Sequence, residues 1–305
     1  MQTNVNRSRN FFKSILPILT FFCLMLLVEV AVMEVYFFIA AWTSGKTDFY
    51  DFLDYFLEKF IGDGSIISMF IYGFIALFVS LFWYRTVLEK QKNIPDYLAD
   101  SKKYELLTGD GNHFTNYKKI CIIALIVSAI GFQIVMQFFM VGLAKLAPSW
   151  AEEYQELLKA TGLGESKLSW MMVIYILVGP FSEEMCFRGL TFEYSRKSIS
   201  FLGANIFQAL LFGGFHGNML QGIMAFLLGL VLGYIYGKTR NIKATIIFHI
   251  TFNASTFFIG EIDITKMNML TGFIYLMVGL TIAYFGLVYF FRGVPRNFNA
   301  PKMPE

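Results

Sequence analysis

Hydrophobic residues along this chain are gathered into eight long runs that polar segments separate. The runs cover approximately residues 14–42, 66–84, 120–146, 168–187, 201–215, 220–236, 244–259 and 270–291. A helix that crosses the apolar core of a bilayer needs about 20 predominantly apolar residues. The pattern therefore predicts an all-α polytopic membrane protein with about eight transmembrane helices. The fifth to seventh runs are short and rich in glycine, so their ends are the least defined.

The composition of the chain excludes an ordinary soluble protein. The hydrophobic fraction is 56%, the charged fraction is 15%, and there are 35 phenylalanines. Soluble domains are about 45–50% apolar and about 25% charged, so the excess apolar surface must face lipid. The three cysteines lie inside apolar runs and cannot form a disulfide framework. A net charge of +3 without a basic tract gives no indication of nucleic-acid binding.

The positions of lysine and arginine predict how the helices are oriented. With the N-terminus inside, 19 of the 25 basic residues lie in cytoplasmic segments and 6 lie outside, as the positive-inside rule requires. Both termini are then cytoplasmic, and the outer loops are acidic. Residues 1–150 hold the first three helices and the cytoplasmic loop 85–119. Residues 151–305 hold a membrane core of helices 4 to 7, a C-terminal helix and a short tail.

Ionisable residues inside the predicted spans are candidates for function, because burying a charge in a bilayer is costly. The first span contains Glu29 and Glu34, to which the sequence assigns no role. The other polar candidates lie in or beside the fourth, fifth and seventh spans: Glu183, Glu184, Arg188, His216, His249 and Asn253. Two of the three histidines are therefore placed in or beside a span, whereas His113 lies in the polar cytoplasmic loop.

Helix geometry divides the charge cluster of the fourth span into two parts. Successive residues of an α-helix point about 100° apart, so Glu183 and Glu184 are predicted not to face the same partner. Glu184 and Arg188 are four residues apart and should form an ion pair, which leaves Glu183 free to face a cavity. Pro180 should kink the helix just before them. Alternatively, all three charges snorkel to the membrane interface.

The two histidines reach the depth of Glu183 if the chain turns near residue 199. In that antiparallel hairpin Glu183 and His216 lie at the same height, and His249 lies about 13 Å into the seventh helix. For His216 to lie at the same membrane depth as His249, the sixth helix must be tilted or the turn at 217–221 must lie below the outer membrane surface. Such a turn must be buried in protein or line water, and we predict that it does. A lone intramembrane histidine is as often structural as catalytic, but two with an aligned asparagine and a free glutamate indicate a site.

Three motifs occur in order, each on its own predicted span. They are Glu-Glu-x-x-x-Arg at 183–188, Phe-x-x-x-His at 212–216 and His-x-x-x-Asn at 249–253, with a Gly-x-x-x-Gly spacing at 229–233. This arrangement resembles the CAAX-protease and bacteriocin-processing (CPBP or Abi) family. The resemblance covers residues 178–259, and the first half of the chain carries no such signal.

The resemblance implies an intramembrane endopeptidase related to the type II CAAX prenyl proteases. It implies two catalytic pairs and a supporting pair: Glu183 with His216 to activate water, His249 with Asn253 to stabilise the tetrahedral oxyanion, and Glu184 with Arg188 to support the site. We expect a metal-independent reaction without a cofactor. In the alternative, Glu183, His216 and His249 hold a zinc ion, although no HExxH motif is present.

Two other classes of function stay open. One is a non-catalytic bacteriocin-immunity or regulatory scaffold, which the presence of every motif residue disfavours. The other is a proton-coupled transporter, which the lack of corresponding broken helices in two halves disfavours. The expected partners are the lipid bilayer and a membrane-associated protein or peptide substrate, in a prokaryotic plasma membrane. CAAX-type, leader or pheromone, and bacteriocin-related substrates are not distinguished by the sequence.

Overall fold

The computed structural model describes residues 2–92, 119–160 and 170–293. Within these ranges the long elements are helices and no strand occurs, which confirms the predicted all-α fold. The main helices are α1 (Gln2–Thr43), α2 (Phe49–Lys59), α3 (Ser65–Lys92), α4 (Lys119–Leu146), α5 (Pro148–Ala160), α6 (Trp170–Glu184), α7 (Phe201–Phe215), α8 (Met219–Thr239), α9 (Ile242–Ile259) and α10 (Met269–Arg292). Most of the cytoplasmic loop, with His113, and the C-terminal tail lie outside the described residues.

Six helices in the described part of the chain are long and apolar enough to cross a membrane, as a polytopic membrane protein requires. The predicted fourth and fifth spans are the two that depart from a regular transmembrane helix. After Glu184, α6 continues as a π-helix over Met185–Phe192. The 15 residues of α7 extend about 22 Å, against about 30 Å for a bilayer core. Both departures fall on helices that carry candidate site residues.

Short capped turns arrange α7, α8 and α9 as consecutive hairpins. The side chains of Ser200, Asn218 and Asn241 accept hydrogen bonds from first-turn backbone N–H groups of α7, α8 and α9 respectively. These side chains satisfy donors that a helix leaves unpaired at its N-terminus. The connection between α6 and α7 falls at the predicted place, because the helical segment after α6 ends at Ser195 and α7 begins at Phe201.

Glycines bring α7 and α8 into close backbone contact, as their spacing predicts. A Cβ atom on Gly213 would lie 2.5 Å from the backbone oxygen of Gly222. A Cβ on Gly229 would lie 3.1 Å from the Cα of Ala209. Small residues let membrane helices approach closely enough for dense packing. This packing holds the candidate residues of α7 against those of the neighbouring helices.

The two acidic outer segments are largely helical rather than loops as predicted. The carboxylate of Asp48 caps α2 by accepting hydrogen bonds from the N–H groups of Tyr50 and Asp51. Phe56 on α2 is buried and packs against Phe37 of α1, with ring centroids 5.5 Å apart. Apolar residues at helical spacing within an acidic segment explain the difference, since they bury one face and leave the carboxylates exposed.

Candidate active site

The charge cluster at the end of α6 is buried inside the helical core. Arg188 Nη1 donates a hydrogen bond of 2.8 Å to Glu184 Oε1, and both side chains are fully buried. The predicted ion pair is therefore confirmed, and the alternative in which these charges snorkel to the membrane interface is wrong. Arg188 also stacks on the Phe212 ring, with 4.5 Å between its Cζ atom and the ring centroid. A guanidinium taken out of water needs such partners on several sides.

His249 of α9 lies between the two glutamates. Its Nδ1 atom is 2.8 Å from Glu184 Oε1, and its Nε2 atom is 3.7 Å from Glu183 Oε2. The prediction that Glu183 and Glu184 cannot face the same partner is therefore wrong. An imidazole presents its two nitrogens on different edges of the ring, so one ring can span the angle between adjacent glutamate side chains. Glu183 keeps 15% of its side-chain surface exposed, whereas His249 keeps 3%.

His216 lies at the C-terminal end of α7 and contacts the same aromatic ring as His249. The His216 Nδ1 atom is 2.8 Å from the backbone oxygen of Phe212. Because a carbonyl only accepts, Nδ1 carries the proton and Nε2 keeps a lone pair. The Phe212 ring meets His216 at 5.0 Å and His249 at 5.8 Å between centroids. The two histidines therefore lie on the same ring, and His249 in turn lies beside Glu183.

Asn253 lies one turn after His249 on α9, as the sequence spacing requires. Its side chain is half-buried, and no other described residue forms a hydrogen bond with it. Its carboxamide is therefore available to a ligand.

Two polar residues of α7 support Arg188 and were not predicted from the sequence. Gln208 Nε2 donates to the backbone oxygen of Gly229 at 2.8 Å and to Asn205 Oδ1 at 2.9 Å. Arg188 Nη2 lies 3.5 Å from the same Gly229 oxygen. Gln208 therefore shares an acceptor with the buried guanidinium and links α7 to α8. The sequence feature that could have predicted this role is the presence of Asn205 and Gln208 inside an otherwise apolar run.

A cavity of about 450 Å³ lies beside the turn that joins α7 to α8. Gly217 and Asn218 of that turn line it, together with Gly213, Gly222 and neighbouring apolar side chains. Gly217 has a φ of +68°, a left-handed conformation that favours glycine. Gly217 itself is exposed, and the prediction that this turn is buried in protein or lines water stays a prediction.

Other polar and reactive residues of the spans are not brought to this site. Glu29 and Glu34 lie exposed on α1. Cys186 is fully buried within the π-helix and belongs to the main hydrophobic cluster, as expected for a packing residue. Neither the acidic pair of α1 nor this thiol adds a group to the arrangement around His249.

The residues of the alternative zinc set do not converge as metal ligands. Across the described ranges, no three His, Cys, Asp or Glu side chains are arranged so that they could hold a metal ion. His249 Nδ1 contacts Glu184 and His216 Nδ1 contacts a backbone carbonyl, which are contacts that metal-ligating histidines also make. The donor types suit zinc, but their present arrangement does not.

These features define an α-helical membrane protein that holds carboxylate, imidazole and guanidinium groups together in its core. Residues 165–255 match the model of a family described as "Type II CAAX prenyl endopeptidase Rce1-like", and all three motifs lie within that range. The resemblance to the CAAX-protease and bacteriocin-processing family that the motifs predict is thereby confirmed.

A relative in Bacillus subtilis (strain 168) bears the name "Putative membrane peptidase YdiL". It is 25% identical over 83 residues, which are 27% of this chain and 34% of that protein. The chain thus spans about a third of the length of the curated relative it matches. No solved structure matches the chain.

Proposed function

We propose that this chain is an intramembrane endopeptidase that hydrolyses a peptide bond of a membrane-associated protein or peptide. One observation carries the proposal: His249 is held between Glu183 and Glu184 in a buried core, beside His216 and within the segment similar to prenyl endopeptidases. Titratable side chains that contact one another in a buried part of a protein are typical of active sites. CAAX-type, leader or pheromone, and bacteriocin-related peptides are the proposed substrate classes.

Glu183 and His216 are the proposed groups that activate the attacking water. Arg188 and His249 both contact Glu184 Oε1, and this side chain is fully buried. Glu183 keeps 15% of its side-chain surface exposed, so it is the carboxylate that water can reach. The free Nε2 lone pair of His216 can accept a second hydrogen bond from the same water. Glu183 takes the proton as the water oxygen attacks the peptide carbonyl, and returns it to the leaving amine. No nucleophilic serine or cysteine takes part.

His249 and Asn253 are the proposed oxyanion donors. Because His249 Nδ1 donates to Glu184, its Nε2 can donate to an oxyanion only when the ring is doubly protonated. We propose this doubly protonated ring as the donating form, with Glu183 and Glu184 on either side of it. The Asn253 carboxamide supplies a second donor one turn along α9. Each donor aimed at a developing oxyanion contributes about 3–4 kcal/mol to the transition state.

We further propose that the protein lies in a prokaryotic plasma membrane with both termini cytoplasmic. The distribution of basic residues supports this orientation. The site then lies between the membrane-spanning helices, where the bilayer itself brings substrate and enzyme together. A peptide substrate anchored in or on the same membrane fits this arrangement.

The proposal is tested by comparing membrane-protein fragments in cells that express the wild type, His216→Ala or Glu29→Ala. We expect at least one fragment in the wild type and in Glu29→Ala that is absent from His216→Ala. The Glu29 variant is the matched control, because it also removes an ionisable side chain from a span but lies exposed on α1. If all three strains yield the same fragments and the wild-type phenotype persists, the chain acts as a scaffold.

Metal dependence gives a separate prediction. Since no three His, Cys, Asp or Glu side chains in the described ranges are arranged to hold a metal ion, we expect a tight zinc chelator to leave the rate of cleavage unchanged. The measurement is the rate of fragment formation by the purified protein, before and after chelation and after addition of zinc. Loss of cleavage that zinc restores would replace the metal-independent mechanism with the zinc alternative.

A further inference from the structure

Basic side chains from three parts of the fold meet at the end of the bundle where α6 and its π-helix finish. Arg196 and Lys197 lie in the turn before α7, Lys13 lies on α1, and Arg240 ends α8. Arg240 pairs with Glu193, which lies three residues before Arg196, and α1, which carries Lys13, packs against Glu193–Ser195. The N-terminus of α7, which points to the same end, adds the positive pole of its dipole.

The nearby negative charge does not balance this cluster. Glu193 is the only carboxylate among the described residues that acts on Arg196 or Lys197. Glu193 is already paired with Arg240 and hydrogen-bonded by the Tyr236 hydroxyl. Partial burial and the neighbouring Arg240 lower the pKa of the Arg196 guanidinium, although arginine stays charged at neutral pH. The described residues therefore leave an excess of positive charge that favours an external anion.

Aromatic rings place this cluster at the level of lipid headgroups. Lys197 lies 5.5 Å from the Tyr194 ring, and Lys238 lies 5.6 Å from the Tyr234 ring. Arg240 lies 5.7 Å from the Tyr236 ring. Tyrosines paired with basic side chains at the ends of apolar helices are typical of the membrane–water interface. A lipid headgroup is therefore the anion expected to bind this cluster.

An apolar groove leads away from the cluster along α7. Leu202, Ile206 and Leu210 are 64%, 39% and 58% exposed, and their spacing of four residues puts them on one face. On one side α1 borders this face through Phe11, whose ring centroid lies 5.1 Å from that of Phe207. On the other side α8 packs tightly on α7 through its glycines. The face ends at the cavity of about 450 Å³, which Leu210 also lines.

We propose that this groove binds an anionic phospholipid, whose phosphate contacts Arg196 and Lys197 while one acyl chain lies along Leu202, Ile206 and Leu210. The guanidinium forms paired hydrogen bonds to phosphate oxygens, and the lysine adds charge. Basic pockets between membrane helices are known to take acidic lipid headgroups. The three apolar side chains extend along about 12 Å of α7, below the basic cluster. A groove of this size fits the headgroup and one acyl chain of a single lipid rather than the surface of a protein. The site stands whether or not the chain is a peptidase.

The test uses the full chain purified in mild detergent, with native mass spectrometry of added phosphatidylglycerol or phosphatidylcholine. We expect the wild type to retain phosphatidylglycerol about 30-fold more strongly, which corresponds to roughly 1 kcal/mol for each of the two basic residues at a membrane surface. The double variant Arg196→Gln/Lys197→Gln should lose this preference. The matched control Lys46→Gln/Lys145→Gln removes the same charge from exposed positions in other parts of the chain and should keep it.

A second variant tests the acyl-chain groove independently of the charges. Ile206→Trp fills an exposed part of the groove, so it should fold normally and weaken retention of phosphatidylglycerol. Millimolar inorganic phosphate is added in a parallel experiment. The proposal is overturned if the wild type retains the two lipids equally. It is also overturned if Arg196→Gln/Lys197→Gln and Ile206→Trp both retain phosphatidylglycerol as the wild type does. Displacement of the lipid by inorganic phosphate alone would instead assign the cluster to a soluble phosphate compound.

Discussion

Replacing Glu183 by glutamine is expected to slow cleavage by about 10²–10⁴-fold, the contribution of a well-placed general base. Glutamine keeps the size of the side chain but cannot take a proton from water. The substitution also removes the negative charge that lies 3.7 Å from His249 Nε2, so the proposed imidazolium loses one of its two flanking carboxylates. Both the attack and the stabilisation of the oxyanion are then weakened by one change.

The measurement is the rate of substrate cleavage by purified protein in proteoliposomes, together with the unfolding midpoint of each variant. Glu34→Gln is the matched control, because it makes the same chemical change at an exposed position on α1. We expect the control to cleave at the wild-type rate. We also expect Glu183→Gln to keep the wild-type unfolding midpoint, since Glu183 forms no hydrogen bond of normal length to another described residue. A rate for Glu183→Gln within tenfold of the wild type would remove Glu183 from the role of base.

The sequence predicted which residues meet because charges inside membrane helices are so few. Only a small set of residues in the apolar runs can carry acid–base chemistry, and helical spacing alone pairs Glu184 with Arg188. The connection before Phe201 agrees with the turn near residue 199 that the hairpin of Glu183 and His216 required. The catalytic roles assigned to Glu183, His216, His249 and Asn253 stay predictions.

The sequence did not predict which atoms of these side chains contact one another. Helix geometry describes the direction of a Cα–Cβ bond, but not where a glutamate ends or which edge of an imidazole it meets. His249 could therefore not be placed between Glu183 and Glu184 in advance. The change from α-helix to π-helix after Glu184 was missed for a related reason, because it depends on packing rather than on local preference.

The buried charges form a connected series rather than separate pairs. A carboxylate, an imidazole, a second carboxylate and a guanidinium follow one another from Glu183 through His249 and Glu184 to Arg188. The two glutamates and the arginine are therefore linked through one imidazole ring and one carboxylate.

Replacing Arg188 by methionine is expected to lower the free energy of unfolding by about 3–5 kcal/mol, the usual cost of removing one partner of a buried ion pair. The Glu184 carboxylate then keeps only His249 as a partner, and Phe212 loses the cation above its ring. The measurement is denaturant titration in mixed micelles for the wild type, Arg188→Met and the exposed control Lys145→Met. A loss of less than about 1 kcal/mol, the value of a surface pair, would contradict the burial of this pair.

The double variant Glu184→Gln/Arg188→Met separates stability from chemistry. It removes the charge of both partners, and the glutamine oxygen can still accept the hydrogen bond from His249 Nδ1. Because replacing both members of a buried pair is often nearly neutral, we expect the double variant to recover most of the lost free energy. Its cleavage rate should nevertheless remain low, since the His249 imidazolium has lost the negative charge of Glu184. Recovery of both stability and rate would show that the pair only holds the fold, and that His249 needs no charged partner at Nδ1.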